Sequence, residues 1–430
     1  MKSIINLSLL LTSLQVCCHH LPGHDGHQDD HEDNNPREHQ YTLSREQQGQ
    51  KSPVYHKIIP SNADFAFRFY RNIVSDPDGK NIFFSPLSIS TAFSLLALGA
   101  KSETHDEIFK GLAFDLLEIE EKEIHEGFHQ LLYVLNQPNN KAQVNLGNGL
   151  FIEPSQKFLP AFLDDAKNLY GADGFSTNFS NPSVAKKQID YYVQNKTNGK
   201  ISSALNELDP NAVMVLVNYI FFKAYWENPF DTQSIKERDF FVDANTTVKV
   251  KMMHRKGYYK FIHDEDLFSW VVELPYKGDA TAFFILPDEG KLEHVEGALA
   301  KENLSKWTQS FRHENIGLVI PKFSVSATYD VKDLMERMGV TAVFNDNADL
   351  SGITGEKDLV VSKVIHKAVL DVNESGTEAA AVTTMELRFR SAHLPPPLTI
   401  SYNRPFLVII VHLPTQSILF IGKILNPTKK

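Results

Sequence analysis

The run Glu374-Ser375-Gly376-Thr377-Glu378-Ala379-Ala380-Ala381-Val382-Thr383-Thr384-Met385-Glu386-Leu387-Arg388-Phe389-Arg390-Ser391 divides by parity. Thr377, Ala379, Ala381, Thr383, Met385 and Leu387 fall on one side; Glu378, Ala380, Val382, Thr384, Glu386 and Arg388 fall on the other. Between 377 and 388 every charge therefore lies on one face. Alternation of this kind marks a strand with one buried and one wet side. The same residues are small and weakly apolar, so the segment could also live in water as an exposed loop. Two readings follow: an ordinary half-buried strand ending at the turn Leu394-Pro395-Pro396-Pro397, or a switch that uses both states.

The rest of the chain bounds the choice. Its 430 residues would allow two or three domains, yet there is no internal repeat and only one clear linker. A net charge of -10 and a pI near 5.9 argue against a nucleic-acid partner. Lys2, the apolar run Ile4 to Leu14 and the small or thiol residues up to Cys18 read as a secretory signal peptide over 1–18. That run is too short for a membrane span, and no later stretch reaches the roughly 20 residues required. The only cysteines are Cys17 and Cys18, so the mature chain is expected to lack disulfides, which a core of this size does not need. Sequons at Asn178, Asn195, Asn245 and Asn303 fit a secreted glycoprotein; a fifth, Asn373, stands beside the switch segment.

Residues 19–56 are polar and acidic, cannot bury a core, and are expected to be disordered. His19, His20, His24, His27 and His31 are candidate metal ligands there, because neutral imidazoles bind Cu, Ni and Zn. The competing reading is a solvated tail whose Gly and Pro residues leave the ligands unpositioned. No cofactor is expected. Folded sequence begins at about residue 57. Phe65, Phe69 and Ile73 recur at helical spacing, and Asn81-Ile82-Phe83-Phe84-Ser85-Pro86-Leu87-Ser88 opens a helix almost without polar faces, which belongs inside. Ser85 and Ser88 need partners there, since an unpaired buried hydroxyl costs about 1 to 3 kcal/mol.

His125-Glu126-Gly127-Phe128-His129 matches the zinc-protease pattern. Gly127 weakens the helix and no third ligand follows at short range, so a solvated helix face is the preferred reading. Val213 to Trp226 is a near-continuous apolar run expected to form a strand buried on both faces. Val271 to Leu274 and Ala280 to Leu286 flank Lys277-Gly278-Asp279 as a hairpin. Leu318 to Val325 reads as a strand, Asp330 to Met338 as a helix ended by Gly339, and Leu407 to Val411 with Ile418 to Ile424 as a last hairpin. Strands and helices are segregated, so the class is α+β with large mixed sheets.

Several of these stretches together resemble the serpin family, and within it the secreted plasma inhibitors: Asn81-Ile82-Phe83-Phe84-Ser85-Pro86, Asn218-Tyr219-Ile220-Phe221-Phe222-Lys223, Trp226, Ala348-Asp349-Leu350-Ser351-Gly352-Ile353, Leu359 to Val372 with His366-Lys367-Ala368, and Asn403-Arg404-Pro405-Phe406. The resemblance runs from about Ile58 to Lys430. It implies the serpin fold, with three β-sheets, eight or nine helices and an exposed reactive loop. It also implies that Gly376, Thr377, Glu378, Ala379, Ala380 and Ala381 are the hinge of that loop. Ser85, Ser88, Asn218 and His366 would form the polar cluster under the point where the main sheet parts, and Trp226 would lie where the loop first enters.

The implied activity is that of an inhibitor, not an enzyme. A serine protease attacks the loop, forms an acyl-enzyme, and is trapped when the freed loop inserts as a new strand. Counting fourteen residues from Gly376, the family's usual spacing, gives Arg390-Ser391 as the reactive bond and trypsin-like proteases as partners; Arg388 is a second candidate because the loop is long. Competing readings are a non-inhibitory carrier of small apolar ligands and a protein that binds metal through its His-rich tail. Lys301, Lys306 and Arg312 are interrupted and Leu116 to His125 is acidic, so glycosaminoglycan binding, which needs a dense cationic stripe, is not expected. A monomer in the extracellular space is expected.

Overall fold

A computed structural model describes residues 52–75, 79–138, 140–205, 207–377 and 397–429. The expected signal peptide, the five tail histidines, Glu378, Ala379, Ala380, Ala381, Arg388, Arg390 and Ser391 lie outside those residues. The described residues begin at Ser52, a few positions before residue 57. A 3-10 turn spans Val54–Lys57, and the Val54 amide donates to Gln130 Oε1 at 3.0 Å.

Two sheets carry the fold. The six-stranded sheet runs, from one edge to the other, Phe323–Asp330, Lys363–Asn373, the short Gly376–Thr377, Met214–Tyr225, Gln143–Ile152 and Asp173–Ser176. The second sheet has nine strands. Three sheets were expected, and the long strand Thr247–Asp264 explains the difference. It pairs with Lys236–Phe241 at one end, with Arg312–Pro321 along its middle and with Ser269–Pro275 at the other end. One strand thus joins what would be two sheets into a continuous ladder. Among the described residues there are ten α-helices rather than eight or nine, because short segments such as Lys332–Arg337 and Ser351–Thr354 also complete a helical turn.

Local sequence accounts for most elements. The helix Pro86–Ala97 starts at Ser85, whose Oγ accepts from the Ser88 amide at 3.2 Å, with Pro86 at the first helical position. All twelve of its residues are buried, as its lack of a polar face requires. Helices Pro86–Ala97 and Pro182–Lys196 reach Met214–Tyr225 from opposite sides, so both faces are buried as far as Ile220; beyond it Phe221, Lys223 and Tyr225 are half-buried. Ser269–Pro275 and Ala280–Pro287 pair across the expected hairpin, whose Gly278 has φ +107°. The Lys332–Arg337 helix is flanked by Asp330, which accepts from the Lys332 amide, and by Gly339 at φ +87°.

One buried ion pair locks distant parts of the chain together. Lys423 on the strand Ser417–Ile424 lies 2.8 Å from Glu296 on the helix Leu292–Ala298, with side chains only 11 and 10 % exposed. The Tyr70 hydroxyl, from the helix Ile59–Val74, donates to the same Glu296 oxygen at 3.3 Å. Removing one charge leaves the other buried and uncompensated. Lys423→Met should therefore lower unfolding stability by about 3 kcal/mol or more, and the paired change Lys423→Met with Glu296→Leu should recover most of it. Urea denaturation midpoints of the single and double variants provide the measurement.

Candidate functional site

The central strands Met214–Tyr225 and Lys363–Asn373 run parallel and pair from Lys363 opposite Val215 to Val369 opposite Phe221. Beyond that point they part. Gly376–Thr377 occupies the opening, antiparallel to both: Thr377 faces Val372 on one side and Ala224 on the other, and Gly376 faces Asn373 and Tyr225. The chain leaves Asn373, reverses through Glu374 and Ser375, and enters the sheet it has just left.

That reversal is pinned at every residue. Asn373 Oδ1 accepts from the Ser375 amide at 2.9 Å, and the Asn373 carbonyl accepts from the Trp226 indole N–H at 2.9 Å. The carbonyls of Glu374 and Ser375 accept from the amides of Phe230 and Trp226, both at 2.8 Å. Lys322 Nζ lies 2.7 Å from Glu374 Oε2. Burial works to raise the Glu374 carboxyl, but the Lys322 ammonium outweighs it and holds the pKa below the ordinary value. Gly376 has φ +142°, and a Cβ there would stand 2.4 Å from the Ala224 carbonyl oxygen, so this entry requires glycine. Thr377 turns inward, is 1 % exposed, and its hydroxyl lies 3.0 Å from Tyr276 Oη. Trp226, also buried, stacks on Tyr276 with ring centroids 4.3 Å apart.

Where the strands still pair, a buried polar cluster crosses them. Asn218 and His366 are directly opposite each other, and His366 Nδ1 lies 2.7 Å from Asn218 Oδ1. Ser88 Oγ donates to the same Asn218 oxygen at 2.6 Å. Asn218 Nδ2 donates to the Ser88 carbonyl at 2.9 Å and to Asn148 Oδ1 at 2.8 Å. The Ser85 amide donates to His366 Nε2 at 3.0 Å. Ser85, Ser88, Asn218 and His366 are thus assembled in one place. Two further residues of this region carry no local signal: Asn148 sits between two glycines in an apolar strand, and Tyr276 looks like the last residue before a hairpin turn. Phe221, Phe222, Val369 and Asp371 line a small cleft directly ahead of Thr377.

Other candidates separate. His125 is buried with Nδ1 2.5 Å from the Tyr170 hydroxyl, and Glu126 accepts from Gln130, so the zinc-protease pattern lies on an ordinary helix, Glu121–Leu135. Among the described residues no group of His, Cys, Asp and Glu is placed to hold a metal, and no helix is long and apolar enough to cross a membrane. Asn178, Asn195 and Asn245 are exposed, Asn303 is half-buried, and Asn373 is buried. Lys301 pairs with Asp64, and Lys306 with Asp264 and Asp266, which leaves little of the basic stretch unpaired.

His366 carries a pH dependence. Its Nε2 accepts the Ser85 N–H, so the ring must be neutral, and burial pushes its pKa down from 6.5 to about 3. The folded state therefore resists protonation while the unfolded chain takes a proton below 6.5. The contribution is fully present above pH 6.5 and is lost as pH falls toward 3, at up to about 1.4 kcal/mol per pH unit. His366→Gln should flatten the stability profile over that window, and proton uptake on unfolding should be smaller by about one proton near pH 5.

The family profile described as Serpin (serine protease inhibitor) matches residues 60–427. The alpha-1-antiproteinase of Callosciurus caniceps is 49% identical over 377 residues, covering 88% of this chain and 90% of the relative. The alpha-1-antitrypsin of Sus scrofa is 48% identical over 375 residues, covering 87% and 88%. Human thyroxine-binding globulin superposes with a TM-score of 0.84 at 42% identity, covering 88% of this chain and all of the other. Human glycosylated kallistatin gives 0.81 at 44% identity, covering 88% and 99%. With a family profile spanning nearly the whole described fold and relatives this similar over most of their length, the chain belongs to the serpin family.

Proposed function

We propose that the protein is a secreted suicide-substrate inhibitor of trypsin-like serine proteases, attacked at the Arg390–Ser391 bond. The observation that carries this reading is the Gly376–Thr377 strand, paired on both sides between parted strands. A sheet that has accepted the first two residues of a segment has an opening for the rest. The inward parity that follows, Ala379, Ala381 and Thr383, is small enough to pass under the sheet.

In this mechanism the protease serine attacks the Arg390 carbonyl carbon, the peptide bond to Ser391 breaks, and the Ser391 amine leaves with a proton from the protease histidine. Arg390 remains esterified to the protease. The hinge residues Gly376 to Ala381 then draw the cut segment into the sheet. Insertion must open the pairs between Val215–Phe221 and Lys363–Val369, including the His366–Asn218 hydrogen bond, and re-forms a ladder along both edges. Ser85, Ser88, Asn218 and His366 thus act as the bolt on the opening, and Trp226 frames its mouth. Secretion is supported by the apolar N-terminal run and by the sequons Asn178, Asn195, Asn245 and Asn303. A carrier of small apolar ligands is the competing reading, since thyroxine-binding globulin is a structural neighbour.

Incubation with trypsin-like and chymotrypsin-like proteases should give a detergent-resistant covalent complex with the former. The peptide released should begin at Ser391; one beginning at Phe389 moves the bond to Arg388. Because a buried aspartate in the protease pocket rewards a guanidinium and is left unpaired by a neutral side chain, Arg390→Leu should slow association with trypsin about a hundredfold or more. Protein nicked in the loop should melt at a clearly higher temperature than intact protein. Coincident melting curves would remove insertion and favour the carrier.

A further inference from the structure

A cleft of about 340 Å³ opens on the nine-stranded sheet, over the strands Thr247–Asp264, Ser269–Pro275 and Arg312–Pro321, and is completed by Leu398. Strand register builds it. His263 lies opposite Trp270 and Phe261 opposite Arg312, so these side chains share one face. The Trp270 ring stands 6.2 Å from Phe261 and 4.8 Å from His263. Phe261 is buried and Leu398 is exposed, so apolar surface runs from the floor of the cleft to its open side.

The charged groups around this surface differ in what they are free to do. His263 Nδ1 lies 3.0 Å from Glu265 and its Nε2 3.0 Å from Asp288, so that ring and the Glu265 carboxylate answer each other. Arg312 and Glu314 are exposed, line the same cleft, and have no ion-pair or hydrogen-bond partner among the described residues, each other included. They stand two positions apart on one strand, about 7 Å along it. One small molecule can bridge that distance. An anion alone would meet Glu314 there and a cation alone would meet Arg312, and each like-charge contact offsets the attraction of the other group. A zwitterion avoids both penalties, with its carboxylate on the Arg312 fork, its ammonium on Glu314 and a flat apolar body against Trp270, Phe261 and Leu398.

We propose that this cleft is a binding site for a small aromatic zwitterion of the α-amino-acid class. It shares no residue with the opening around Gly376–Thr377 and requires no cleavage of the loop, so the inference stands independently of the inhibitor reading.

L-Phenylalanine, phenethylamine and hydrocinnamate carry the same ring and differ in charge, the second lacking the carboxylate and the third the ammonium. Ligand-observed saturation-transfer NMR on the whole protein should show saturable binding of L-phenylalanine, with each one-charge analogue weaker by about fivefold or more. Arg312→Gln and Glu314→Gln should each weaken L-phenylalanine by a similar factor. Phenethylamine should bind Arg312→Gln at least as tightly as the unaltered protein, because the like charge is gone. Both variants change exposed side chains without partners, so their melting temperatures should match that of the unaltered protein and a loss of binding reads the site rather than the fold. Of the three tryptophans, Trp226 and Trp307 are fully buried, so a change in tryptophan emission on adding L-phenylalanine would come from Trp270 and support the placement. No saturable response to L-phenylalanine, or equal binding in all three proteins, overturns the site. Equal affinity for the three ligands overturns the zwitterion class.

Discussion

The molecule is organised around an incomplete pairing. Two parallel strands at the centre of the six-stranded sheet share seven rungs and then separate, with room between their ends for one more chain. Parallel neighbours with a gap are a poor resting state for a sheet, because unpaired backbone groups in a buried layer cost free energy that any passing strand could recover. The protein lodges its own Gly376–Thr377 there. The rest of the opening stays closed only because the strands below it remain paired to each other.

What keeps them paired is local and polar. The His366–Asn218 bond runs straight across the two strands, and Ser85 and Ser88 brace it from the helix beneath. A neutral imidazole suits this position, since it accepts with one nitrogen and donates with the other, so both strands and the helix end are joined through one ring. Apolar packing in the same place would hold the strands with no directional preference. A hydrogen-bonded cluster instead has a defined broken state, which is what a barrier between two arrangements of a sheet needs.

Much of this was legible in the residues, for physical reasons that differ from place to place. The near-continuous apolar run Met214 to Tyr225 reads as a covered strand, and Ser85 before Pro86 as a helix start. Thr377 falls on the inward parity and is found buried. Two of the contacts that fix the hinge were not legible. Lys322 and Glu374 lie 52 residues apart, and Tyr276 and Thr377 lie 101 apart; nothing in the local pattern around a lysine at a strand end or a tyrosine before a turn announces such a partner. The same holds for Lys423 and Glu296. The joining of strands into one nine-stranded ladder was not legible for a related reason. Periodicity shows that 247–264 is extended, but three different partners along one strand are a property of the assembled fold.

The register at the hinge carries one consequence for the proposed insertion. Gly376 is opposite Asn373 on one neighbour and Tyr225 on the other, and the entering strand is antiparallel to both. Each further residue therefore advances one position along each neighbour. Thr383, seven residues beyond Gly376, arrives opposite His366, seven before Asn373, and opposite Asn218, seven before Tyr225. It shares the inward parity of Thr377, so its hydroxyl would come between the two groups whose mutual hydrogen bond must break for the strand to pass. Ala379 and Ala381, the inward residues before it, are small and apolar, and the first inward residue able to donate and accept a hydrogen bond after Thr377 reaches the sheet at the buried polar cluster. An apolar residue at that register would leave Asn218 and His366 buried and short of a partner, at a cost of about 1 to 3 kcal/mol for each group left unpaired. In the proposed insertion a threonine would replace what its own entry removes, and the entering strand would add backbone pairing along both neighbours.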